Sequence, residues 1–120
     1  MIVGIGCDIV DISRIDKLLQ SKGDQFLKKV CTKHEIESAP LNSLLKISYF
    51  AKRFAAKEAF SKALGTGIGS EIAFNEIEVR NDESGKPFFH FSTDKYSDLN
   101  IQLSLSDEKS QALAFVIIEK

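Results

Sequence analysis

Residues 41–65 read LNSLLKISYFAKRFAAKEAFSKALG, and the fold turns on this stretch. Apolar side chains recur at Leu44, Leu45, Ile47, Ala51, Phe54, Ala55, Ala59 and Ala63, the three-to-four spacing of one long helix. Gly65 is a natural end for it, because glycine takes the left-handed conformation that helix C-termini often need. Phe54, Glu58, Ser61, Lys62 and Gly65 share one stripe of that helix. Glu58 and Lys62 at this spacing would, in isolation, be read as a solvated ion pair worth about 0.2–0.5 kcal/mol. The small residues Ala55, Ala56, Ala59 and Ala63 argue for more, since they let another backbone or a ligand approach closely.

On the N-terminal side, Ile2 to Ile9 alternates loosely and is rich in Ile and Val, so a strand is expected. Asp11 is placed to cap a helix carrying Ile12, Ile15, Leu18 and Leu19 on one face, with Gly23 as its stop. Asp24 starts a shorter helix with Phe26, Leu27 and Val30 facing inward. Thr32 and Glu35 have capping-box spacing. On the C-terminal side the period changes from helical to alternating. Ile77 and Val79 form a strand, Asn81 to Gly85 a turn, and Pro87 to Phe91 the return strand. Ile101, Leu103 and Leu105 alternate with polar residues, and Ala112 to Ile118 reads as a buried strand. Helices cluster first and strands later, which predicts an α+β fold with a mainly antiparallel sheet packed on the long helix. No linker divides the chain, so residues 1–120 are expected to form one domain.

Composition narrows the function classes. The chain has 120 residues, 43% hydrophobic and 28% charged, with a formal net charge of -1. That excludes collagen-like and disordered classes, and no apolar run approaches the roughly 20 residues of a membrane span. Met1 to Gly4 carries no basic leader, and two cysteines are too few for a disulfide scaffold, so a cytoplasmic protein is expected. Charge is uneven, however. Residues 41–66 hold Lys46, Lys52, Arg53, Lys57 and Lys62 against one acid, Glu58, a local balance of +4. This pattern suggests a local anion site rather than a nucleic-acid surface.

Asp8 is the second chemical signal. An aspartate within Ile5 to Val10 would be costly if buried without a partner, and Asp11 fits the capping role better. Two carboxylates from separate elements, Asp8 and Glu58, suit a hard cation such as Mg2+, which commonly adds phosphate oxygens of a substrate. Gly65, Thr66, Gly67, Ile68 and Gly69 form a loop that matches no Walker motif, yet its glycines allow backbone N–H groups to approach an anion. A non-catalytic binder of nucleotide phosphates, or a basic helix that docks an acidic partner, fits the same residues.

Taken together, GIGCDIVDISRI at residues 4–15, RFAAKEAFSKALGTG at residues 53–67, and Ser104-Leu105-Ser106 with the strand after it closely resemble the bacterial holo-acyl-carrier-protein synthases of the phosphopantetheinyl transferase superfamily. The resemblance implies transfer of 4'-phosphopantetheine from coenzyme A to a serine of apo-acyl carrier protein, in support of fatty acid synthesis. It also implies Mg2+ on Asp8 and Glu58, and catalytic roles for Glu58 and Lys62. Arg53, Lys57, Lys62, Gly65 and Thr66 would line the coenzyme site, and Arg14 would face the carrier protein. A homotrimer with coenzyme between subunits is implied as well. One position departs from the pattern: Asp107 stands where the family usually has histidine near the adenosine and phosphate end of the coenzyme. An acid there is expected to turn to solvent or cap the adjacent turn.

Overall fold

The computed structural model describes residues 1–66 and 72–120. Along the chain run β1 (Ile2–Asp11), α1 (Ile12–Lys22), α2 (Asp24–Val30), α3 (Lys33–Glu37) and α4 (Ser43–Leu64). A 3-10 turn (Phe74–Glu76) then leads into β2 (Ile77–Asn81), β3 (Pro87–Phe91), β4 (Asn100–Asp107) and β5 (Gln111–Glu119). The expected α+β class holds, with every described strand pair antiparallel. The strands divide into a three-stranded sheet, β1-β5-β4, and a two-stranded one, β2-β3. The N-terminal strand thus pairs with the C-terminal one, Ile5 opposite Ile117 and Asp8 opposite Ala114.

Helix α4 lies against one face of the larger sheet, and the close fit has a simple origin. β1 turns Gly4, Gly6, Asp8 and Val10 toward the helix, while α4 offers Ala59 and Ala63. A Cβ added at Gly6 would land on the Ala59 carbonyl oxygen, and one at Gly4 on that of Ala63. Strand backbone therefore rests on helix backbone, which only glycine allows here. The core fills in around this contact with Phe50, Phe60, Ile77, Val79, Ala112, Ala114, Val116 and Ile118. Phe60 also packs against Phe89, Phe91 and Tyr96, tying the hairpin β2-β3 to the helix.

Local signals in the sequence are realised with two exceptions. Thr32 and Glu35 form the capping box, Gly23 stops α1, and Gly65 closes α4 with φ 81°. Asp11 occupies the N-cap position of α1, but its side chain makes no cap bond and accepts instead from the Gln111 side chain. The Ile12 N–H is satisfied by the Ser110 carbonyl, leaving Asp11 free to bind across the sheet. Leu44 and Leu45 are also not core: the first turn of α4 runs past the sheet, and both side chains line an open groove of about 440 Å³ with Ile12 and Ile47.

Candidate active site

Strand β1 passes under α4 with its glycines facing the helix, so the next residue of that face, Asp8, emerges at the helix edge. Lys62, in the last turn of α4, meets it there. Its ammonium donates to Asp8 Oδ1 at 3.0 Å and to the Cys7 carbonyl at 3.1 Å. The Asp8 hydrogen bond, the largest influence, raises the Lys62 pKa, so the ammonium stays charged. Glu58, one turn back along the same stripe, is half-buried beside them. Burial is the main cause pushing its carboxyl above the usual carboxylate range, and the negative charge of Asp8 adds to it. Lys62 and then Arg14 pull the other way.

Arg14, on α1, stands over the Phe54 ring with its guanidinium 5.5 Å from the ring centre. It is exposed, and it forms the rim of the corner that holds Asp8 and Glu58. The donors in this corner are two carboxylates and a backbone carbonyl, an all-oxygen set suited to a hard cation. Among the described residues no group of three or more His, Cys, Asp or Glu gathers to hold a metal. A cation here would complete its shell from water or phosphate, as magnesium readily does.

Two basic residues expected beside Lys62 lie elsewhere. Lys57 is a correction: it points into the protein, where its ammonium donates to Glu35 Oε1 and to the Val30 carbonyl, both at 2.6 Å. Neither side chain of the Lys57–Glu35 pair is exposed at all, so Lys57 cannot touch a coenzyme bound at the surface. Glu35 also accepts from the Thr32 and Val79 N–H groups, which pins α3, α4 and β2 together. Arg53 shares that side of the helix. It stacks on Tyr49 at 3.7 Å and donates to Asn81 Oδ1 at 2.8 Å, in a polar recess also lined by His34 and Arg80. Its Nε is buried and has no hydrogen-bond partner among the described residues. The single signal that could have flagged the inward turn is the i,i+4 spacing of Tyr49, Arg53 and Lys57, which sets them on one face.

Asp107 is exposed, as expected of an acid that turns to solvent. It pairs with Lys52 at 3.4 Å, at the edge of the open groove by α1. Gly65 sits in the helix-ending conformation directly after the Lys62 turn, and the Thr66 N–H donates to the Ser61 carbonyl. Gly67, Ile68 and Gly69 lie outside the described residues. The Cys7 carbonyl escaped the sequence reading, since it contributes through Lys62, 55 residues away in the chain.

Where α4 packs against β1, Asp8 and Glu58 form a half-buried carboxylate corner, with the exposed Lys62 bonded to Asp8. The chain belongs to the 4'-phosphopantetheinyl transferase superfamily, whose model matches residues 4–116. It is 48% identical to the holo-[acyl-carrier-protein] synthase of Ruthia magnifica, over 99% of this chain and 98% of the relative. Solved structures agree. The holo-(acyl-carrier-protein) synthase of Bacillus anthracis, in complex with CoA (3',5'-ADP), matches with a TM-score of 0.87 and 45% identity, covering 98% of this chain and 96% of that one. The Neisseria meningitidis holo-[acyl-carrier-protein] synthase matches with a TM-score of 0.90 and 40% identity, covering 100% of both chains.

Proposed function

We propose that this chain transfers the 4'-phosphopantetheine arm of coenzyme A to a serine hydroxyl of an apo-acyl carrier protein. The serine Oγ forms a bond to the phosphorus of the arm, and the phosphorus–oxygen bond within the diphosphate breaks. Adenosine 3',5'-bisphosphate leaves with the bonding pair, and the serine proton passes to a base at the site. The observation that carries this reading is the Asp8–Glu58–Lys62 corner, in a chain similar along nearly its whole length to a synthase seen with CoA (3',5'-ADP).

Phosphoryl transfer asks mainly for positioning and for positive charge on the phosphate oxygens. Asp8 and Glu58 would hold Mg2+, which when bound supplies part of that charge. Lys62, on a flexible stem, is the protein's own cation for the diphosphate, with Gly65 and Thr66 lining the path beside it. Glu58, acting through a water, is the candidate base for the serine hydroxyl. Arg14, exposed on the rim, would meet an acidic carrier protein.

Arg53 belongs to the same scheme through a second subunit. Five helical residues separate it from Glu58, a rotation of roughly 140°, so the two face different sides of α4. One coenzyme touching both is most simply held between subunits. A trimer is supported by the outer face of the large sheet, where Ile5, Cys7, Ile9, Leu113 and Phe115 are all exposed. An uncovered apolar face of this kind marks a protein interface. No described helix is long and apolar enough to cross a membrane. We place the reaction in the cytoplasm, in keeping with two free thiols, Cys7 and Cys31. Chromatography of the reaction mixture tests the proposal: adenosine 3',5'-bisphosphate should accumulate only with apo carrier, coenzyme A and Mg2+ all present, and its release without carrier would refute the transfer.

A further inference from the structure

We infer that Lys62 is an exchangeable stand-in for the divalent cation at Asp8, so that the cation and the coenzyme's phosphates load cooperatively. The inference rests on the metal and coenzyme roles proposed above and concerns how the site is filled. Asp8 and Glu58 bring two carboxylates into a partly desolvated corner, and such a pair needs a cation nearby. Lys62 supplies it, with its ammonium on Asp8 Oδ1 at 3.0 Å and held a second time by the Cys7 carbonyl at 3.1 Å. A divalent ion that takes Asp8 Oδ1 must compete with that ammonium.

The exchange is feasible because of where Lys62 sits. Its side chain is 53% exposed while that of Asp8 is 15% exposed, so the lysine can leave without opening the core. Its four-carbon stem can re-aim the ammonium from the carboxylate toward an incoming phosphate. A phosphate that recruits Lys62 releases Asp8 for the metal, and a metal on Asp8 releases Lys62 for the phosphate. Linkage makes that help reciprocal. Lys57 offers the contrast within the same helix: sealed on Glu35, it has nowhere to go.

Titration of the full chain with Mn2+, following the free ion by electron paramagnetic resonance, tests this without turnover. In the absence of coenzyme, Lys62→Met should bind Mn2+ about tenfold more tightly than the wild type, within the usual range of site-to-site coupling. Lys62→Arg should stay near wild type, because it keeps a donor cation. Arg14→Met controls for simple loss of positive charge near the corner and should tighten binding far less than Lys62→Met. Adding adenosine 3',5'-bisphosphate should strengthen Mn2+ binding more in the wild type than in Lys62→Met. Equal or weaker Mn2+ binding by Lys62→Met, or an equal gain in Arg14→Met, would overturn the exchange while leaving the metal site standing. Failure of the wild type to bind Mn2+ under any of these conditions would overturn the metal reading along with it.

Discussion

Two of the lysine–carboxylate pairs on α4, Lys57–Glu35 and Lys62–Asp8, share chemistry but not fate. Lys57 and Glu35 meet at 2.6 Å with neither side chain exposed, and two N–H groups complete the carboxylate. Lys62 and Asp8 meet at 3.0 Å at the surface. The first pair cannot be opened without stranding a charge in the core, so it serves as a structural joint. The second can be opened at little cost, so it can take part in binding. Lysine and carboxylate alone therefore say little about role; solvent access decides it.

The largest expected effect comes from breaking the sealed joint. Lys57→Met leaves Glu35 buried and without its counter-charge, which should cost about 3–5 kcal/mol, read as a lower midpoint in urea unfolding. Lys62→Met should shift the same midpoint by less than about 1 kcal/mol, since exposed pairs contribute little. Similar losses in the two variants would erase the distinction.

Next come the carboxylates of the open corner. Glu58→Gln and Asp8→Asn should each reduce transfer on the order of 100-fold or more, by removing an anionic oxygen that would hold the cation acting on the phosphate. Stability should move the other way for Glu58. Its pKa is raised in the folded protein, so its contribution is fully present below the ordinary carboxylate value and is lost as pH rises through the folded one. At neutral pH, Glu58→Gln should thus unfold at the same or higher urea concentration than the wild type. A loss of both activity and stability would recast Glu58 as structural.

The outer sheet face extends the contrast between covered and uncovered groups. Phe115→Glu should dissociate the proposed trimer, seen as a fall in mass by light scattering, and should expose Cys7 to thiol reagents. Cys31 should stay unreactive in either state, because burial pushes its thiol up to about 12. The smallest effect is expected at Asp107. Its charge is already answered by Lys52, so Asp107→Ala should alter coenzyme A affinity by less than about threefold in calorimetric titration. A large loss would place Asp107 in the ligand contact.

How much of this was legible follows from the range of each interaction. The helices, their glycine stops and the capping box at Thr32 are local, and periodicity displays them. The alanine run of α4 showed that something would come close; that it is the β1 backbone depends on Gly4 and Gly6, more than fifty residues upstream. Pairing of β1 with β5 joins the two ends of the chain, and no local pattern encodes it. Among candidate site residues, Asp8, Glu58 and Lys62 come together because strand alternation and the helical stripe each select one side. Lys57 misled because a basic side chain looks exposed until its partner is known, and Glu35 lies 22 residues away in sequence.

Intact-mass spectrometry of an apo-acyl carrier protein, incubated with this chain, coenzyme A and Mg2+, tests the transferase reading most directly. The carrier should gain the mass of one 4'-phosphopantetheine, on a single serine, and should gain it far more slowly when Glu58→Gln replaces the wild type at matched concentration. A carrier that stays unmodified at high wild-type concentration would contradict the assignment.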